Sequence, residues 1–197
     1  MEISNAKRAS ILVHALPYIQ EYNGKIVVIK YGGNAMINDK LKDSVIRDIV
    51  LLSLIGVKVV LVHGGGPEIT DMLQKIGKTS EFVNGLRVTD KEPADIVQMV
   101  LAGKINKSLV NMIQIKGGKS IGLSGMDGHM IEARAKDERL GYVGEITGVN
   151  VAPILDVIEK GYIPVISTVG CDSEGNVYNI NADTAAAKIA GELHAQR

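Results

Sequence analysis

Two short runs bring together the residue types from which an anion site is built. In the first, Ile26, Val27, Val28 and Ile29 form an apolar run that breaks into Lys30, Tyr31, Gly32, Gly33 and Asn34. In the second, Val59 to Val62 is equally apolar and breaks into His63, Gly64, Gly65, Gly66 and Pro67. Uninterrupted apolar runs of this length mark strands buried on both faces of a parallel sheet. Glycines just past the carboxyl end of such a strand let the backbone approach a ligand closely, and their N–H groups can converge on negative charge. Lys30 adds a point charge to the first loop. A helix beginning beyond Gly66 adds the partial positive charge of its N-terminus to the second. A lone lysine at a strand end is ordinarily a surface residue, and it is the adjacent glycines that make Lys30 a candidate. Two such cradles indicate one phosphorylated ligand held between them.

Other candidates lie further along. Arg87 falls in a short, turn-rich segment, Glu81 to Asp90. A guanidinium there suits bidentate capture of a carboxylate, and equally serves as a surface arginine; local sequence leaves both open. Asn179, Asn181 and Asp183 precede an alanine-rich stretch. On local sequence Asp183 reads as a helix cap and the two asparagines as turn residues. His14, His129 and His194 show no ligand spacing, so no metal site is expected among them.

These residues need elements to hold them in place. Apolar positions Ala9, Leu12, Val13, Leu16 and Ile19 predict a helix over residues 4–21, capped by Ser4 or Asn5 and kinked by Pro17. Its apolar stripe packs either on its own domain or on a partner chain. A strand ending at Lys30, a helix Asp43 to Ile55 and a strand Lys58 to Val62 make a βαβ unit. A helix Glu68 to Ile76 follows, then a hairpin or lid over Glu81 to Asp90, and a helical stretch Glu92 to Ile115 with a break near Gly103. Strands are predicted at Ser120 to Leu123, His129 to Arg134, Gly144 to Thr147 and Ile163 to Ile166, with a helix Val151 to Glu159 and a last helix from Thr184 to Leu193. The alternation predicts a three-layer α/β/α sandwich with a mainly parallel central sheet plus β-hairpins.

Composition removes whole classes of function. A chain of 197 residues with 46% hydrophobic content can bury a multilayer core. Its formal charge is zero and its pI about 6.9, so no basic surplus is available for nucleic acid. Cys171, the single cysteine, excludes an internal disulfide, and together with the lack of a signal-like or bilayer-length apolar run leads to the expectation of a cytoplasmic protein. Beside Asp172 it is read as incidental to chemistry. Familiar signatures fail on inspection. Ile69 stands where the dinucleotide fingerprint needs its third glycine, and Ile113 where a P-loop ending at Gly118-Lys119-Ser120 needs its first. His63-Gly64-Gly65-Gly66 is like an oxyanion-hole run, but no G-x-S-x-G elbow accompanies it.

Taken together, Ile29 to Ala35, Val62 to Pro67, Asn84 to Asp90, Gly122 to Gly128 and Tyr178 to Asp183 resemble, in order and along the whole length, the amino acid kinase family. The Asn84 to Asp90 run resembles its acetylglutamate branch rather than the aspartate, uridylate or carbamate kinases. The resemblance implies transfer of the γ-phosphoryl of ATP, with magnesium, to the side-chain carboxylate of N-acetyl-L-glutamate. By the same analogy Lys30 and Asp183 are catalytic, Asp183 orienting Lys30. Gly32, Gly33, Gly64 and Gly65 bind the phosphoryl group, with Gly64, Gly65, Arg87 and Asn179 on the substrate and Asn181 in support. Residues 1–22 resemble the inter-subunit helix of the arginine-inhibited, hexameric branch, which implies arginine as feedback inhibitor and a homodimer or hexamer. Residues 23–197 then form an acetylglutamate-binding and dimerisation domain. Family members continue past the equivalent of Arg197 into a half that supplies a second lysine and the adenine pocket, so these residues are expected to bind substrate without turning over ATP. The alternative is a non-catalytic metabolite-binding or oligomerisation module on the same fold.

Overall fold

The computed structural model describes residues 3–83 and 85–197, with Asn34 described in its backbone only. Met1, Glu2 and Asn84, the first residue of the Asn84 to Asp90 run, lie outside the described residues. Helix α1 (Asn5–Tyr22) is capped by Ser4, whose hydroxyl accepts from the Lys7 N–H at 3.3 Å, and it continues across Pro17 as one element. Strand β1 (Ile26–Tyr31) leads through Gly33 into a single turn, α2 (Asn34–Ile37). Gly33 holds φ 62°, ψ −138°, a region essentially restricted to glycine, which is how the chain reverses so tightly after the strand. Helix α3 (Asp39–Leu54) starts four residues earlier than the apolar periodicity indicates, because the Asn38 side chain accepts from the N–H groups of Lys40 and Leu41.

Strand β2 (Lys58–His63) runs parallel to β1 with Tyr31 opposite His63, which sets the two glycine loops side by side. After α4 (Gly66–Lys75) comes the small hairpin β3 (Phe82–Val83) and β4 (Leu86–Arg87). The expected break near Gly103 does not occur. Helix α5 (Lys91–Gln98) passes into a π-helical segment, Met99–Ile105, and then into α6 (Asn106–Ile115). Glycine loosened the register of the helix without ending it, since Leu101 and Ile105 in the same segment are buried and hold it down. Strand β5 (Ser120–Ser124) and an Asp127–His129 turn follow, so β6 (Ile131–Ala135) begins two residues later than expected. The Asp127 carboxylate accepts from the Ser124 N–H at 2.7 Å and Gly128 sits at φ 61°, a local turn that outcompetes strand pairing for His129. The remaining elements are β7 (Gly144–Val149), α7 (Ala152–Glu159), β8 (Ile163–Ser167), β9 (Val169–Cys171), β10 (Val177–Asn179) and α8 (Ala182–Glu192).

The central sheet has the order β1-β2-β8-β5, all parallel, and a second sheet of order β10-β9-β6-β7 is largely antiparallel. Alternation along β2 divides the core. Val59 and Leu61 face Ile46, Ile49, Leu73 and Ile113 of α3, α4 and α6, whereas Val60 and Val62 face Ile154, Ile189 and the second sheet. That is the expected three-layer α/β/α arrangement, with hairpin additions. Cys171 is buried in β9, where burial pushes its thiol pKa up, in keeping with an incidental residue. No helix among the described residues is long and apolar enough to cross a membrane.

Candidate active site

In parallel α/β sheets ligands bind outside the carboxyl ends of the strands, where loops and helix N-termini converge. Here β1, β2 and β8 end in Gly32, Gly64 and Thr168 around one cleft, and α4 and α8 present their N-termini to it. The cleft is open to solvent, and about 740 Å³ of space lies within it when that open solvent is counted. Lys30, Gly32, Gly33, Gly64, Gly65, Arg87, Asn179, Asn181 and Asp183 all line it. Residues dispersed over more than 150 positions of sequence are thus gathered by the topology.

Lys30 lies at the end of β1 and its Nζ is 3.1 Å from Asp183 Oδ1. The pair is open to solvent, with the Asp183 side chain 73% exposed, so it orients the ammonium without sequestering it. A Cβ built on Gly32 would come within 3.1 Å of the Lys30 Cε and Nζ, so the lysine lies folded over the first glycine loop. The described backbone hydrogen bonds give the N–H groups of Gly32, Gly33 and Gly65 no protein acceptor, while that of Gly64 donates to the Tyr31 carbonyl at 3.2 Å. Three of the four predicted glycines therefore offer N–H groups that a ligand could take up, and Gly64 serves instead to clamp the two loops together.

Arg87 is only 6% exposed, and among the described residues the hydrogen-bond partners of its guanidinium are all neutral oxygens. Nη2 donates to the Gly66 carbonyl at 3.0 Å and to Thr70 Oγ1 at 2.8 Å, Nη1 donates to Ser80 Oγ, and the guanidinium carbon stands 4.7 Å above the centre of the Phe82 ring. Burial lowers its pKa from the usual arginine value, the expected direction for a cation removed from water without an anion beside it. Among the described residues these three bonds leave two of the five guanidinium donors uncommitted. Thr70 and Ser80, which hold the fork in place, carry no recognisable motif and escape a sequence reading.

At the far wall the structure exchanges two local readings. Asn181, not Asp183, is the N-cap of α8, accepting from the Thr184 N–H at 3.0 Å, and the helix opens at Ala182 rather than Thr184. Asp183 is released from capping to meet Lys30. Asn179 ends β10 and reaches the cleft from the second sheet. Among the described residues no three histidine, cysteine or acidic side chains gather as a metal-ligand set.

Comparison with known proteins finds relatives along almost the whole chain. The chain is 54% identical over 198 residues to an acetylglutamate kinase of Clostridium beijerinckii, covering 99% of this chain and 70% of that one. It is 55% identical over 196 residues to an acetylglutamate kinase of Brachyspira hyodysenteriae, covering 98% and 68%. Among solved structures, the protein smu.665 of Streptococcus mutans superposes with a TM-score of 0.80 at 32% identity, over 86% of this chain and 69% of that one. The family model described as amino acid kinase matches residues 25–197, which takes in every strand and all the cleft residues named above; the chain belongs to the amino acid kinase family.

Proposed function

We propose that this chain binds N-acetyl-L-glutamate and serves its ATP-dependent phosphorylation on the side-chain carboxylate, giving an acyl phosphate. The observation that carries the proposal is a buried guanidinium paired, among the described residues, only with neutral oxygens, in the same cleft as a lysine bordered by glycine N–H groups that have no acceptor among those residues. Such a cleft is short of negative charge at two places and suits a ligand with two carboxylates. The relatives above, named acetylglutamate kinases at 54% and 55% identity, point to the same substrate.

In this reading Arg87, with Asn179 nearby, holds the α-carboxylate, and the glycine loops receive the reacting end. A carboxylate is already nucleophilic, so the protein's task is alignment and the neutralisation of charge on the passing phosphoryl group. Lys30, held by Asp183, supplies mobile positive charge there. The N–H groups of Gly32, Gly33 and Gly65 supply fixed dipoles, aided by the N-termini of α4 and α8. A magnesium ion carried in with the nucleotide would supply further neutralisation of the passing phosphoryl group, with Asp183 the carboxylate on the cleft wall to face it. A cleft lined by one carboxylate, Asp183, fits an ion carried in this way.

We also propose that α1 is an assembly element. Ile11, Leu12, Val13, Leu16 and Tyr18 are all about half exposed or more, and no residue of α1 is buried. A second copy of the helix is the partner of matching chemistry, and arginine is the effector to test on the resulting assembly. Calorimetry with N-acetylglutamate tests the main proposal, and a hydroxamate assay on these residues alone is expected to detect no acyl phosphate. Failure to bind N-acetylglutamate refutes it.

A further inference from the structure

Directly beneath the second glycine loop lies a buried polar chain that the reading above does not use. His63 and Asn106 are both fully buried at 0% exposure. His63 Nδ1 is 3.0 Å from the carbonyl oxygen of Gly64, and its Nε2 is 3.2 Å from Asn106 Nδ2. A carbonyl can only accept, so Nδ1 carries a proton. Burial lowers the pKa of His63 to about 4, so the ring is neutral at pH 7 and Nε2 is left as an acceptor. The amide of Asn106 is oriented independently. Its two N–H hydrogens face three acceptors, His63 Nε2 and the carbonyls of Val165 at 2.8 Å and Leu123 at 3.1 Å, so one of them is shared, and its oxygen accepts from Lys107 Nζ at 3.0 Å. Asn106 follows directly on the π-helical segment, whose Leu101 and Ile105 fill the space that a Cβ on Gly65 would occupy. π-Helical insertions are often retained at functional sites.

We propose that His63 and Asn106 are positioning residues that set the Gly64–Gly65 peptide plane. In a trans peptide the C=O and the following N–H point in opposite directions. Tying the Gly64 carbonyl inward to His63 therefore turns the Gly65 N–H outward, to where it has no acceptor among the described residues and can meet an anion. Asn106 fixes the ring tautomer and the ring plane, as the partner of a working imidazole commonly does. The inference rests on the glycine loops being the phosphoryl cradle, but it makes a claim of its own about a tautomer.

The test uses the ¹⁵N-labelled chain with inorganic phosphate as the anion probe. At pH 7 the His63 ring nitrogens report the proton on Nδ1, and the Gly65 amide resonance moves on phosphate titration. His63→Gln removes the donor at the Nδ1 position and weakens phosphate at Gly65 by on the order of tenfold, the effect of one charge-assisted hydrogen bond at its lower limit. His63→Asn places a side-chain nitrogen where Nδ1 stands and recovers most of that loss, a contrast that stability alone would not produce. A proton on Nε2, an unmoved Gly65 resonance, or equal phosphate affinity in the two folded variants overturns the proposal. The tautomer is read on the unmodified chain, so a variant that fails to fold does not protect it. Calorimetry with N-acetylglutamate separates the two levels. Binding with the wrong tautomer sinks only the positioning role, whereas the right tautomer and contrast without binding sink the substrate assignment.

Discussion

Replacing Arg87 with lysine keeps the charge and removes the geometry. The guanidinium is held from three sides, by Gly66 O, Thr70 Oγ1 and Ser80 Oγ, with Phe82 against its face. A lysine ammonium is a single point at the end of a flexible stem and cannot reach all three acceptors while facing the cleft. The proposed contact with the substrate's α-carboxylate then falls from a fixed, forked pair to at most one mobile hydrogen bond. Loss of one hydrogen bond to a charged group costs about 1.5–3 kcal/mol. That corresponds to an N-acetylglutamate Kd raised by roughly 10- to 150-fold. Gly66 lines the open cleft and Thr70 is partly exposed, so both oxygens can take water in place of Nη2 and the melting temperature changes much less than the affinity. Titration calorimetry on wild-type chain and Arg87→Lys, with thermal unfolding as control, decides the matter. An unchanged Kd with a lowered Tm would show that Arg87 serves the hairpin and not the ligand.

Four further outcomes are expected. His63 takes up a proton at its ordinary pKa of 6.5 when unfolded but only near 4 when folded, so the unfolded state binds more protons between those values and stability falls as pH drops through that window. The loss approaches about 3 kcal/mol, and denaturant unfolding of wild type against His63→Asn at pH 7 and 5 will show a flatter response in the variant. Gly65→Ala forces a methyl group against Ile105 and Leu101 and costs about 1–3 kcal/mol by overpacking, visible as a lower urea midpoint. Deleting residues 1–22 leaves a folded domain of smaller assembly mass, and light scattering with no change beyond the deleted residues would refute the role given to α1. The chain of 197 residues binds N-acetylglutamate without forming acyl phosphate from ATP, because its cleft carries a single lysine among the described residues; hydroxamate formation would contradict this.

Much of this molecule is legible before any coordinates. Apolar runs ending in glycine specify β1, β2 and the cradle, since burial on both faces of a parallel sheet leaves a pattern that few other contexts produce. Gathering Lys30, Arg87 and Asp183 into one cleft depends on strand order, which local sequence does not encode and which family resemblance supplies. Other features are hidden for identifiable reasons. Asn181 and Asp183 are two residues apart and both are good caps, so only the observed hydrogen bond to Thr184 separates them. The π-helical register at Met99–Ile105 has no composition of its own, because one added residue in a buried helix is decided by packing. Asn106 is an unremarkable helical residue in sequence and meets His63 only through a contact between distant elements.

Among the described residues strand β1, which carries Lys30, is the outermost member of the central sheet, with β2 on one side only. Its other margin is hydrogen-bonded by Gln196, whose N–H donates to the Ile26 carbonyl at 2.9 Å, and by Arg197, whose carbonyl accepts from Val28 at 2.9 Å. Arg197 also donates from Nε to the Tyr22 hydroxyl at 3.0 Å, so the same residue touches the end of α1. An edge strand held by two backbone bonds is a place where local opening costs less than global unfolding. Amide exchange at Val28 will therefore be faster than at its buried neighbours in β2, and it will slow if a partner engages α1 and stiffens the contact with Tyr22. Lys30 lies two residues from that amide, which makes deuterium uptake at one backbone position a readout linking assembly at the N-terminal helix to the order of the cleft.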